Sequence, residues 1–94
     1  MKIERIMWKE KFINKFIIEH HVSTVETEEI LFGKKKVYRV TKGRVKGENV
    51  YLALGQTAGG RYLSVFFILK KNCRVLPISA RDMDDKERRK YERK

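Results

Sequence analysis

The length, composition and charge of this chain exclude several classes of protein. Its 94 residues are 41% hydrophobic, which is too apolar for a disordered chain and predicts one domain, with a modest core, over residues 1–94. The 23 Lys and Arg against 12 Asp and Glu leave a net charge of +11, an excess that favours a polyanionic partner such as nucleic acid over a merely heat-adapted charged surface.

The first third of the chain predicts a short strand followed by two helices. The strand is KIERIMW (2–8), and KEKFINKFIIEHH (9–21) has the apolar spacing of an amphipathic helix. STVE (23–26) is a capping box, in which a Ser hydroxyl and a Glu carboxylate each accept from the other residue's backbone amide. The second helix therefore begins there and ends near Phe32, before Gly33.

The middle of the chain predicts four strands joined by turn sequences. RYLSVFFILK (61–70) is apolar on both faces, so it is expected at the centre of the sheet. Pro77 cannot donate to a strand ladder, so its strand lies at an edge or carries a bulge there. The other strands are expected at 36–41, 49–56 and 74–80.

The last segment predicts a third helix. Asp84 can cap it, with Glu87 three residues later, and acids precede a run of cations, as the helix dipole favours. The predicted order is therefore β-α-α-β-β-β-β-α. This is an α+β fold with an N-terminal helical pair, an antiparallel β-meander and a C-terminal helix.

Register arithmetic places two arginines at one end of this sheet. If Lys71 and Asn72 form a two-residue turn, Arg81 lies opposite Tyr62 and beside Arg61. One phosphate could then contact both arginines. Further candidates for RNA binding are the cations at Lys34, Lys35, Lys36, Arg74, Arg88 and Arg89.

Structural roles for both arginines remain open. Asp82 or Asp84 could pair with Arg81, as ordinary ion pairing. The Gly-rich GQTAGG before Arg61 suits a phosphate cradle, but a plain hairpin turn needs glycine as well.

Several stretches carry a resemblance to a known family. YLALGQTAGGRYLSVFF and PISARDMDDKERRKYE, with IMWKEK and HHVSTVETEEILF, resemble the BrnT family of type II toxins. His20 matches the family's usual His-Gly-Val-Ser, whereas His21 replaces the glycine. The resemblance implies a RelE-like fold, ribonuclease activity and a BrnA-like ribbon-helix-helix antitoxin, through which the complex binds promoter DNA. Arg61 and Arg81 match arginines of the family's motifs.

The chemistry of a metal-free ribonuclease limits which residues can act. Arginine can stabilise charge on the phosphorane, but another group must take the 2′-hydroxyl proton. Histidine is the residue type best suited to this, which makes His20 a candidate, although a structural role for it at a helix C-terminus, facing the negative end of the dipole, is slightly favoured. Neither a metal nor another cofactor is expected, because no cluster has ligand spacing. The other candidate bases are Glu26, Glu29 and Glu48.

The leading hypothesis is a metal-independent endoribonuclease toxin that arrests growth. A non-catalytic RNA- or ribosome-binding module remains an alternative, with four tyrosines as candidate stacking groups, and so does a protein that only holds its partner. A cytoplasmic location without membrane association is expected, because Cys73 is the lone cysteine and no apolar run reaches the length of a membrane span.

Overall fold

A computed structural model describes residues 1–40 and 49–93, which form three helices and one five-stranded sheet. The predicted order of elements and the α+β class are confirmed. The elements are β1 (Arg5–Ile6), α1 (Glu10–His20), α2 (Thr24–Phe32), β2 (Lys35–Arg39), β3 (Val50–Gln56), β4 (Tyr62–Leu69), β5 (Arg74–Asp82) and α3 (Asp85–Glu92).

The sheet has the order β1-β5-β4-β3-β2, so the doubly apolar strand β4 is central, as predicted. Strands β2 to β5 form the antiparallel meander. β1 adds to β5 in parallel, through Arg5 opposite Arg74 and Ile6 opposite Val75. Pro77 lies beyond this short pairing, so the missing amide of the proline removes no bond to β1.

The register between β4 and β5 differs from the predicted one in two places. Asn72 and Cys73 both adopt left-handed backbone conformations, and the amide of Lys70 donates to the carbonyl of Arg74. The turn therefore contains one residue more than expected. A β-bulge between Phe66 and Phe67, at the level of Pro77, shifts the register by one more residue and confirms the predicted irregularity at the proline.

These two shifts add, so Arg81 lies opposite Ser64 and not opposite Tyr62. Because side chains alternate with a period of two, a total slip of two residues leaves Arg81 on the predicted face of the sheet.

Local signals set the ends of the helical pair. Both halves of the predicted capping box between Ser23 and Glu26 are present. A Cβ atom on Gly33 would lie 2.4 Å from the carbonyl oxygen of Glu29, so the end of α2 requires glycine. His21 is the C-cap that follows α1; its φ of 54° is left-handed, and its amide donates to the carbonyl of Ile17.

Replacing His21 with glycine is expected to stabilise the protein by about 0.5–1 kcal/mol, because a Cβ atom is unfavourable at this positive φ. The melting temperature should rise by about 2–6 °C for a chain of this size. His21→Ala is the matched control, since it removes the imidazole but keeps the Cβ atom. Equal melting temperatures for the two variants would contradict this account.

The two faces of the sheet are covered differently. The helical pair contributes Phe16, Val22, Ile30 and Leu31 to the main core, against Leu63, Val65 and Phe67 of β4 and their neighbours. On the other face, Val50, Ile68 and Leu76 form a smaller cluster at one end of the sheet. α3 lies on that face at the opposite end, and none of its eight residues, all of them described, is buried.

None of the helices in the described ranges is both long and apolar enough to span a bilayer.

Candidate functional site

Arg61 and Arg81 lie at the same end of the sheet but on opposite faces. Arg61 precedes β4, and Arg81 is the penultimate residue of β5, directly opposite Ser64. Since side chains alternate along a strand, Arg81 shares the face of Ser64, while Arg61 shares the face of Leu63 and the helical pair. The two arginines therefore do not face one common phosphate.

All five N–H groups of Arg61 are engaged within the fold. Its Nε and Nη2 donate to Asp82 at 2.8 and 3.3 Å. Its Nη1 donates to the carbonyl of His21 at 2.6 Å and to Glu26 at 3.2 Å, and its Nη2 donates to the carbonyl of His20 at 3.0 Å. Arg61 thus joins the end of α1, the start of α2 and the end of β5.

The acids around Arg61 are stabilised in their charged forms. The backbone hydrogen bond from Ser23 and the contacts with Arg61 lower the pKa of Glu26 against an opposing effect of burial. The hydrogen bond from Arg61 is the largest cause of the lowered pKa of Asp82. We call Arg61 with Glu26, Asp82 and the carbonyls of His20 and His21 the clamp. A phosphate could bind Arg61 only if one of these hydrogen bonds were broken.

Arg81 pairs with Glu87, not with either aspartate that the sequence suggested. Its Nη1 and Nη2 donate to the two carboxylate oxygens of Glu87 at 2.7 and 2.9 Å, and its Nη1 also donates to the carbonyl of Asp82 at 3.2 Å. The guanidinium lies 5.5 Å from the ring centre of Phe66. Within residues 1–40 and 49–93, Nε and one hydrogen of Nη2 have no hydrogen-bond partner.

Glu87 is an anion on this face whose side chain is only 13% exposed. It accepts from the Ser64 hydroxyl at 2.9 Å and, as the predicted capping box requires, from the Asp84 amide at 3.0 Å. Burial raises the pKa of Glu87, but the hydrogen bonds from Arg81, Asp84 and Ser64 outweigh burial and lower it. The sequence identified Glu87 only as a capping residue, because its pairing with Arg81 depends on where α3 packs.

Cations of α3 stack on tyrosines of the sheet. The Arg88 guanidinium lies 3.3 Å from the ring centre of Tyr62, and the Lys90 ammonium lies 3.9 Å from that of Tyr38. Tyr62 also makes an edge-on contact with Tyr91, with ring centres 6.0 Å apart. Contacts between cations and rings at exposed positions contribute about 0.5–1 kcal/mol each, so they hold α3 only weakly.

The other predicted RNA-binding residues divide into two groups. Lys34, Lys35 and Lys36 line a shallow pocket with Tyr91 at the same end of the sheet, and Lys36 also donates to the carbonyl of Arg93. Arg88 and Arg89 lie on α3, at that end too. Arg74 begins β5 and therefore lies at the far end of the strand, about 26 Å from its last residue at 3.3 Å per residue.

The candidate bases named from the sequence do not lie with Arg81. His20 ends α1 on the helical-pair face, Glu26 contacts Arg61, and Glu29 accepts from the Ala58 amide at 3.0 Å. Glu48 falls outside the described residues. In the described part of the chain, no three His, Cys, Asp or Glu side chains form a group that could hold a metal ion.

These carboxylates should make the protein acid-labile. The pKa values of Glu26, Asp82 and Glu87 are lowered in the fold, so the unfolded chain binds more protons at low pH. Their stabilisation is complete above the ordinary glutamate value of 4.5 and is lost as the pH falls through the folded values. Urea unfolding between pH 6 and pH 3, in steps of about one unit, measures this loss.

Glu87→Gln should weaken this pH dependence, because it removes one of the three shifted carboxyls. Glu28→Gln is the control, since Glu28 is exposed on α2. Equal acid slopes in the wild type and in Glu87→Gln would contradict the assignment.

Comparisons with known proteins agree with this architecture. The family model described as "Ribonuclease toxin, BrnT, of type II toxin-antitoxin system" matches residues 8–87. The 1.1 Å crystal structure of the Brucella abortus ribonuclease toxin BrnT superposes with a TM-score of 0.66 at 22% sequence identity, over 89% of this chain and 100% of that chain. At this identity the likeness shows the fold. No curated protein matches the sequence.

Proposed function

The chain belongs to the BrnT family of ribonuclease toxins of type II toxin–antitoxin systems, and from that premise we propose that it is a metal-independent endoribonuclease. It cleaves RNA to arrest growth until a cognate antitoxin neutralises it. The substrate site is the sheet face that carries Arg81.

The observation that carries this proposal is the geometry of Arg81. Its planar fork already holds two carboxylate oxygens at 2.7 and 2.9 Å, and this geometry also suits two phosphate oxygens. In RNA cleavage, negative charge builds on the phosphate oxygens of the transition state, where a fixed guanidinium stabilises it. Among the described residues, Arg81 also has N–H groups without a hydrogen-bond partner, unlike Arg61.

The surroundings of Arg81 support an RNA strand as the ligand. Tyrosine rings and cations alternate on this face, as in sites that combine base stacking with phosphate contacts. We include Lys34, Lys35, Lys36, Arg88 and Arg89 in the RNA-binding surface and leave out Arg74, which lies at the far end of β5. We assign structural roles to Arg61 and to the backbone of His20, because both belong to the clamp on the other face.

The test is incubation of the purified protein with end-labelled RNA, with and without EDTA. We expect the same fragments under both conditions. Loss of cleavage on adding EDTA would contradict metal independence. RNA that is bound but not cut would instead favour the alternative, a non-catalytic RNA-binding module. RNA that is neither bound nor cut would contradict both the endoribonuclease and the binding module.

A type II toxin has an antitoxin partner, and we propose a BrnA-like ribbon-helix-helix protein for this role. Acidic side chains of the antitoxin would cover the basic face around α3, since the toxin carries a net charge of +11. The complex would bind promoter DNA through the antitoxin. Separate elution of the two proteins on gel filtration would contradict this proposal.

A further inference from the structure

The sheet face beneath α3 presents a set of groups that fit one unpaired nucleotide. Arg81 and Ser64 are directly opposite one another on β5 and β4, and Tyr62 lies two residues from Ser64 on the same face. An arginine fork binds a phosphate, a hydroxyl can donate to one of its oxygens, and a tyrosine ring stacks on a base.

Side chains of α3 occupy these groups with matching chemistry. The Glu87 carboxylate accepts from Arg81 at 2.7 and 2.9 Å and from the Ser64 hydroxyl at 2.9 Å, as a phosphate would. The planar Arg88 guanidinium lies 3.3 Å from the ring centre of Tyr62, where a base would stack. Nε of Arg88 lies 3.4 Å from a carboxylate oxygen of Glu92 in an ion pair, but it is buried without a hydrogen-bond partner among the described residues, so the stack leaves this N–H group unsatisfied.

We propose that α3 is a lid whose Glu87 and Arg88 side chains occupy the positions of the phosphate and the base of one nucleotide. Single-stranded RNA binds beneath this lid by displacing Glu87 from Arg81 and Arg88 from Tyr62. This inference rests on the proposed function, because it places the RNA on the Arg81 face. The ligand is single-stranded, since the base faces of a duplex are stacked on each other and cannot reach a tyrosine.

The packing of α3 is consistent with a lid. None of its residues is buried, although the structure describes all eight. Its contacts with the sheet include the ion pair of Glu87 with Arg81, the stacked cations and one edge-on contact between Tyr91 and Tyr62. RNA phosphates compete directly for such contacts, whereas they would not compete for an apolar interface. Only Met83 and Asp84 separate β5 from α3, and the Met83 amide donates to the carbonyl of Tyr62, so an opening of the helix would pivot at Asp84.

The first test compares two variants of α3 that each remove one negative charge. Glu87→Gln keeps the shape and the capping box, which accepts glutamine, but weakens the hold on Arg81. Asp85→Asn is the matched control, because Asp85 is exposed on the same helix. The probe is a single-stranded 2′-O-methyl RNA, which the protein can bind but not cleave through a 2′-hydroxyl.

We expect Glu87→Gln to bind this RNA about tenfold more tightly than the wild type, because the competing internal anion is removed. Asp85→Asn should change the Kd by about twofold or less, since an exposed charge is screened. A purely structural role for Glu87 would leave affinity unchanged or lower it, so either result in Glu87→Gln would overturn the lid.

The second test needs no variant. Hydrogen exchange of the wild type with and without the same RNA should show faster exchange in α3 when RNA is bound, for example at the Arg88 and Arg93 amides, which now donate within the helix. Unchanged or slower exchange there would overturn the inference. If the wild type cleaves RNA but neither test gives the expected result, the lid proposal is wrong and the proposed function stands. If neither the wild type nor Glu87→Gln binds RNA, the lid proposal and the proposed function are both wrong.

Discussion

Replacing Arg81 with alanine is expected to lower the rate of RNA cleavage by about two to three orders of magnitude, the usual effect of losing one donor to transition-state charge. The chain should remain folded, because Glu87 keeps its hydrogen bonds from Ser64 and from the Asp84 amide. Loss of a charged hydrogen-bond pair should still cost about 1–3 kcal/mol of unfolding free energy. This is more than expected from the sequence, which did not identify the partner.

Single-turnover cleavage rates and thermal melts of Arg81→Ala and Arg81→Lys measure this effect. Arg81→Lys should restore only part of the rate, since a point charge cannot reproduce a bidentate grip. Arg74→Ala is the matched control, because it removes an arginine from the far end of β5, outside the proposed RNA-binding surface, and it should change the rate by less than about tenfold. A wild-type rate in Arg81→Ala would reduce this arginine to a structural partner of Glu87.

The second large effect concerns stability. Arg61→Ala should lower the unfolding free energy by about 2–4 kcal/mol, because it removes the link between the two helices and β5 and leaves Glu26 and Asp82 without their cation. For a chain of this size the melting temperature should fall by at least about 10 °C. Arg39→Ala is the control, since Arg39 is exposed and its side chain makes, among the described residues, one hydrogen bond, of 3.4 Å to Asn49.

The cleavage rate of folded Arg61→Ala should stay within about tenfold of the wild type, because all its N–H groups serve the clamp. The sequence had suggested that both arginines contact one phosphate. Their placement on opposite faces instead predicts that the effects of Arg61→Ala and Arg81→Ala on stability will be close to additive, apart from the coupling through Asp82, which both side chains contact. If Arg61→Ala kept the wild-type melting temperature but lost cleavage by orders of magnitude, Arg61 would be a catalytic residue and not part of a structural clamp.

The sequence by itself determined the elements whose signals are local. The capping boxes at Ser23 and Asp84 each depend on contacts three residues apart, so their residue types predict them directly. Strand β4 is central because residues apolar on both faces need cover on both sides. The order of elements and the placement of both arginines at one sheet end follow from such signals and from short turns.

Only the tertiary structure decided which groups meet at that end. The added residue in the turn at Asn72 and Cys73 and the bulge beside Pro77 each change the register of β5, and neither is specified by alternation within a strand. The partner of Arg81 depends on where α3 lies on the sheet. That position is set by weak polar contacts between residues far apart in the sequence. The sequence therefore places Arg81 on its face, whereas the fold pairs it with Glu87 and encloses Arg61 in a clamp.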